Sequence, residues 1–253
     1  TLDTSESIWR LASTFTNPNY FGFFLAIVLC FFFSGLVISQ NSKTKILYLT
    51  FSLTCFALIL FTGSRTGLVA SSVSLITTYF LYIIKTYKNL NSFKWLSLIS
   101  VLLVFVFLVF YSQDFLYKFE RFSDFENIKF NLYTRYEIWF DALNKWEESP
   151  LIGNGPYKYY MDTFDSNYVL MLYRYGLFGI TFFTIFFLFN FIKAIKYSNS
   201  VFSLGMVGVS VVFMISMISA IPFNFIQLGA IYISLIAIQD KMIFLKERSE
   251  NFQ

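Results

Sequence analysis

Few side chains in this 253-residue sequence could do chemistry, and arginines lead them. Arg65 stands in Thr62-Gly63-Ser64-Arg65-Thr66-Gly67, a tight turn between two long apolar runs. A guanidinium held there could grip a phosphate in bidentate geometry at a membrane surface; a solvated turn charge or a lipid-headgroup contact is the plain alternative. Arg135 lies in Thr134-Arg135-Tyr136-Glu137, which fits a capping box, so it is expected in the first turn of a helix. An ordinary interfacial role is its alternative. Arg174 follows Asp165-Ser166-Asn167 by about two and a half turns on one helix, ~13 Å below the helix's outer end. Asn167, Met171 and Arg174 share a face, and an ionisable residue so placed faces protein or a water-filled cavity more often than it snorkels. Asp165 is the expected N-cap of that helix. Leu151-Ile152-Gly153-Asn154-Gly155-Pro156 is turn-prone, and its two glycines could bring backbone amides close to a ligand.

Several chemistries are excluded. The chain has no histidine, which removes histidine general bases, Ser-His-Asp triads and histidine metal sites. Cys30 and Cys55 both lie inside apolar runs, so neither a disulfide framework nor a cysteine zinc site is expected. Asp124-Phe125-Glu126 is a loose acidic pair of the kind that is normally just solvated. The sequence calls for no metal, no cofactor and no nucleic acid.

The elements that must position these residues are membrane helices. The chain is 57% hydrophobic and only 13% charged, with 35 Phe and 17 Tyr. Uninterrupted apolar runs predict seven spans, at about 19–39, 45–62, 66–84, 94–111, 167–192, 201–219 and 223–244. Short cytoplasmic loops collect Lys and Arg. Starting the first span outside places ten basic residues (Lys43, Lys45, Lys85, Lys88, Lys94, Lys193, Lys196, Lys241, Lys246, Arg248) on the inner face with only Asp240, Glu247 and Glu250. The expectation is therefore an all-α integral membrane protein, 1–253 forming a single membrane domain with a cytoplasmic carboxyl terminus. The chain begins at Thr1 rather than Met, so amino-terminal helices of a longer protein are expected to precede it.

One outward loop, from about Ser112 to Asp165, carries ten acidic and six basic residues. Within it, Thr134 to Ser149 reads as an amphipathic surface helix, with Tyr136, Trp139, Phe140, Leu143 and Trp146 on one face and Pro150 ending it. The inner loops are short and almost free of carboxylates, leaving no room there for a nucleotide-sugar site. A group donor must come from outside or from the membrane, and external arginines beside a surface helix suit an anionic lipid such as a polyprenyl pyrophosphate.

Four segments carry a likeness to a known family: Phe15-Thr16-Asn17-Pro18-Asn19-Tyr20-Phe21-Gly22; Thr62 to Leu68; Arg135 to Gly155, with its Arg-x-x-x-Trp and Pro-Leu-Ile-Gly-x-Gly elements; and Asp165-Ser166-Asn167-Tyr168 continuing to Gly176-Leu177-Phe178-Gly179. In order and spacing they resemble the O-antigen ligase and polymerase superfamily, the Wzy/WaaL-like glycosyltransferases of bacterial surface polysaccharide. The resemblance covers about Phe15 to Ile192. It implies a GT-C-like enzyme of the bacterial plasma membrane with its site facing the periplasm or exterior, acting without metal on undecaprenyl-pyrophosphate-linked glycans. Arg65 and Arg135 would hold the departing pyrophosphate. Members of the superfamily run to about ten or more spans, against seven here. Ligases typically carry a His-Asn pair where this chain has Ser166-Asn167, and that histidine is thought to activate the acceptor.

The missing histidine favours a polymerase of O-antigen or capsule repeat units over a ligase that transfers glycan to lipid A-core. It leaves the general base to Asp165, with Glu137 a second choice. Arg65, Arg135 and Asp165 are thus the expected catalytic residues, and Arg174, Asn167, Tyr168, Gly153, Gly155 and Asn19 the expected substrate contacts. Donor and acceptor lipid-linked glycans, the bilayer and a chain-length regulator are the expected partners. A flippase or transporter of lipid-linked oligosaccharide is the rival of another class, but transporters show repeat symmetry and polar sites near the midplane, and here the polar residues gather on one side.

Overall fold

A computed structural model describes residues 11–15, 17–86, 125–156 and 165–250. They form seven helices: α1 (Pro18–Ile38), α2 (Ser42–Thr62), α3 (Arg65–Thr86), α4 (Phe125–Trp146), α5 (Asn167–Lys196), α6 (Val201–Ser219) and α7 (Ile226–Glu250). All except α4 are long and apolar enough to cross a membrane. With six such helices and no strand among the described residues, the chain is an all-α integral membrane protein. The expected span at 94–111 and Asp124 lie outside the described residues.

Helix starts are written locally in the sequence. Asn17 precedes Pro18 and accepts from the Asn19 amide at 2.8 Å, and Asn41 accepts from the Lys43 amide at 2.9 Å. Gly63, in the left-handed conformation at φ 60°, closes α2 and lets the chain reverse at once into α3.

The core is where α1, α3 and α6 meet, with α2 packed on α1 and α5 on α6. Lipid tails are as apolar as leucine, so helices in a membrane adhere through close approach and polar contacts. Small residues make that approach possible. Gly22, Ala26, Cys30 and Ser34 recur every fourth residue on α1 and are all buried, as are Gly67, Ser71, Ser74 and Thr78 on α3. The Cys30 thiol donates to Ser74 Oγ at 3.4 Å. A Cβ on Gly208 of α6 would stand 2.8 Å from Cys30 Sγ and 2.9 Å from Thr78 Oγ1. Overpacking a tight core costs ~1–3 kcal/mol, so Gly208→Val should lower the melting temperature in detergent by several degrees, whereas Val69→Ala on the exposed side of α3 should not.

At one end of the bundle lysines close the helix termini. Lys85 Nζ donates to the Ile195 and Lys196 carbonyls, at 2.5 and 3.1 Å, so α3 caps the last turn of α5. Lys193 pairs with Asp240 at 2.6 Å and Tyr197 bonds Glu247, tying α5 to α7 there. The candidate chemistry lies at the other end.

Candidate functional site

The N-termini of α1, α3 and α5 gather at this end around the C-terminus of α6. Gly22 packs against the Thr62–Ser64 turn, where its Cβ would stand 3.1 Å from Ser64 Cβ and Thr62 Oγ1. Thr66 bonds Ser219 at 2.6 Å, the Asn167 amide donates to the Ala220 carbonyl at 3.1 Å, and Ser166 Oγ donates to the Met217 carbonyl at 3.2 Å. Tyr20 sits by the Ile221 backbone and within electrostatic reach of Asp165. The residues flanking Arg65 and Asp165 are therefore fastened to one stretch, Met217 to Ile221. Three helix N-termini, with partial positive charge, and the C-termini of α2 and α6, with partial negative charge, meet here and largely offset one another, which leaves the arginine side chains as the groups that favour an anion.

Arg65 is the first residue of α3. Ser64 before it is buried and accepts from the Gly67 amide at 3.1 Å, while Thr62 Oγ1 accepts from the Ser64 amide at 3.2 Å. The turn is thus fixed from within. A cation at a helix N-terminus opposes the dipole, a placement that gains nothing for the helix itself and adds to the pull on an anion.

Arg135 and Asp165 meet, Nε to Oδ2, at 3.2 Å. With the side chains 29% and 48% exposed, the pair is worth at most ~1 kcal/mol in stability. Both groups stay accessible to a ligand. Asp165 does not cap α5: the N-cap is Ser166, which makes no side-chain capping bond, and the Asp165 carboxylate turns to Arg135 instead. The capping box at Thr134 is likewise overturned. Helix α4 begins at Phe125, so Thr134 is mid-helix and its hydroxyl bonds back to the Phe130 carbonyl at 3.0 Å. Arg135 projects from the middle of a long helix rather than from its first turn.

The apolar pattern of α4 divides in two. Ile138 and Ala142 pack on Leu170 and Tyr173 of α5, while Phe130, Tyr133, Tyr136 and Phe140 are exposed on another face. Trp146 leaves the expected stripe to donate its indole N–H to the Pro150 carbonyl at 2.9 Å, and the helix ends there rather than at Ser149. Glu137, the second candidate base, is exposed and accepts from the Tyr133 hydroxyl, whose pKa it raises.

The segment after α4 is not a ligand loop in the way its glycines suggested. α5 breaks at Gly176, at φ 61° and ψ −160°. The break frees the Tyr173 and Arg174 carbonyls and the Leu177 and Phe178 amides. The loop supplies all four partners: Asn154 and Gly155 amides donate to the Tyr173 and Arg174 carbonyls at 2.8 and 2.9 Å, and Leu177 and Phe178 amides donate to the Pro150 and Leu151 carbonyls at 2.9 and 3.1 Å. The Gly153 amide is also spent, on Ser149 at 2.8 Å. A loop is thus spliced into a membrane helix, and no amide of Gly153 or Gly155 is left for a substrate. Gly153 is needed at φ 71° because its α-carbon lies against the Arg174 carbonyl. Sequence reasoning missed this splice and the small-residue core; the signal for the second was the four-residue spacing of Gly, Ala, Cys and Ser on α1.

Among the other expected contacts, Tyr168 commits its hydroxyl to the Met214 carbonyl at 3.0 Å, and Asn19 is a half-buried residue of the first turn of α1. Arg174 is half-buried just before the break. Asn167 is fully buried, and among the described residues neither of its side-chain amide atoms has a hydrogen-bond partner, nor has the Trp139 indole N–H, one turn along α4 from Arg135. Each unmade bond costs ~1–3 kcal/mol.

The sequence model of Wzy_C, the O-antigen ligase family, matches residues 50–184, just over half of the chain and the stretch that holds both Arg65 and the Arg135–Asp165 pair. The chain belongs to this family. The Wzy_C family comprises glycosyltransferase-like ligases and polymerases, and this chain is one of its multi-pass membrane members. No curated protein matches the chain.

Proposed function

We propose that this Wzy_C member is a polymerase that joins undecaprenyl-pyrophosphate-linked repeat units of O-antigen or capsule on the outer face of the bacterial plasma membrane. The observation that carries the reading is the accessible Arg135–Asp165 pair at the end of the bundle where Arg65 supplies a second guanidinium to favour an anion. Positive-inside charge counting turns that end outward. A hydroxyl of the acceptor glycan attacks the anomeric carbon of the donor with inversion, Asp165 takes the hydroxyl proton, and Arg65 and Arg135 hold the pyrophosphate as the bond to it breaks. The absence of histidine from the chain supports polymerase over ligase, because the ligase pattern places a histidine where Ser166 stands.

The test is the surface-glycan ladder of cells in which Arg65→Ala or Arg135→Ala replaces the wild-type gene. A polymerase should leave single repeat units in place of long chains. Long polymer stranded on its carrier would mean a ligase, intermediates held on the cytoplasmic face a flippase, and an unchanged ladder would sink the arginine mechanism.

A further inference from the structure

Polymerisation as read above requires two lipid-linked glycans at once, and Arg65 with Arg135 accounts for one pyrophosphate. A second cation stands elsewhere. Arg174 is half-buried on a membrane helix, and among the described residues no carboxylate lies within ion-pair distance of its guanidinium. An arginine at such a depth is normally matched by a partner anion or a polar cavity.

What adjoins Arg174 is apolar. A groove of about 600 Å³ runs along α5 from Met171 past Tyr175 and Phe178 to Phe182, facing Phe223 and Ile233 across the gap to α7. That volume falls within the ~300–1,000 Å³ range of small-molecule pockets. Arg174 does not line the groove but flanks its outer part on α5. In helical register it follows Met171 by three residues; and Ile152, which lines the groove, precedes Gly153, whose α-carbon abuts the Arg174 carbonyl. The splice at Gly176 matters here, because it holds the loop and Arg174 in fixed register beside the groove.

A cation flanking the outer part of an apolar groove that runs along a membrane helix complements one ligand chemistry, an anionic phosphate head on a long hydrocarbon tail. We propose that Arg174 and the α5–α7 groove bind a second prenyl lipid through its phosphate and the first isoprene units of its chain, as the carrier of the acceptor glycan. This rests on the polymerase reading, since a ligase acceptor is not prenyl-linked.

The experiment uses the protein in nanodiscs of phosphatidylglycerol and phosphatidylcholine with undecaprenyl pyrophosphate as probe, counted by native mass spectrometry. The wild type should hold two probe molecules. Arg174→Ala and the groove-filling Ile233→Trp should each hold one, Arg174→Lys should retain two, and Arg65→Ala with Arg135→Ala should hold one. A charged hydrogen bond to phosphate is worth a factor of about 10–100, so the second dissociation constant should rise by that much in Arg174→Ala. A photo-crosslinker at Phe182 should capture the probe, and one at Leu53, also exposed, on α2 should not. A wild-type count of one that Arg174→Ala leaves unchanged and Arg135→Ala abolishes overturns the second site and leaves the donor reading standing. A count reduced by Arg174→Ala and Ile233→Trp but untouched by Arg65→Ala and Arg135→Ala upholds the groove and sinks the donor assignment. Equal competition at Phe182 by phosphatidylglycerol shows an ordinary lipid contact and overturns the proposal.

Discussion

Gly176→Ala and Gly153→Ala should each disable the protein, while Gly155→Ala should be mild. The three glycines share a positive φ, of 61°, 71° and 80°, which costs an alanine ~1–2 kcal/mol or more, and Gly176, with ψ −160°, lies in a region essentially confined to glycine. Space separates Gly153 and Gly176 further from Gly155. A Cβ at Gly153 would stand 2.5 Å from the Arg174 carbonyl group and the Gly176 amide nitrogen, and one at Gly176 would run into the Leu151 carbonyl and lie 2.6 Å from the Gly153 nitrogen. Both clashes are with backbone, which no rotamer change relieves. A Cβ at Gly155 meets nothing within 4 Å.

Relieving either clash pulls the loop out of α5 and strips partners from the Tyr173, Arg174, Pro150 and Leu151 carbonyls and from four amides. In hydrocarbon each orphaned backbone group costs several kcal/mol. The expected result is a loss of most long-chain product together with a sharply lower melting temperature in detergent and new proteolytic cleavage between residues 147 and 156. Gly155→Ala should shift the melting temperature by only a few degrees and keep the ladder. Equal behaviour of all three variants would show that the splice does not hold this end together.

Why the sequence reveals some of this and conceals the rest follows from what is local. Spans were legible because the length of an apolar run answers directly to bilayer thickness: 201–219 is α6 itself, and the predicted 19–39 differs from α1 by a residue at each end. The motif residues Arg65, Arg135 and Asp165 fall at one end of the bundle, and there Arg135 and Asp165 come together. The start of α4 was misread because Thr134 and Glu137 have capping spacing, and nothing in four residues tells a cap from the interior of a helix that continues upstream to Phe125. Asp165 was given to its own helix because an N-cap is the local use of such a residue, whereas its actual partner lies 30 positions away. The splice was illegible for the same reason. Gly176 signals permission for positive φ, but that Pro150 to Gly155 restores the four bonds lost there is a fact of tertiary contact, not of spacing.

Asp165→Asn should separate catalysis from binding. If the Asp165 carboxylate takes the proton of the attacking hydroxyl, the amide keeps its size and its position beside Arg135 but accepts no proton, and the rate should fall by ~10²–10⁴. Binding should survive, because the exposed Arg135–Asp165 pair contributes little to stability and the neutral side chain leaves Arg135 more available to an anion. Undecaprenyl pyrophosphate should therefore bind Asp165→Asn at least as tightly as wild type, while Arg135→Ala loses both rate and binding. Glu137→Gln is the comparison that decides between the two carboxylates: Glu137 is exposed on α4, and its loss should cost less than tenfold. Polymerisation in reconstituted vesicles, measured as repeat units joined per minute, checks all three. A rate in Asp165→Asn within tenfold of wild type would move the proton to another acceptor, and a large fall in Glu137→Gln instead would name that acceptor.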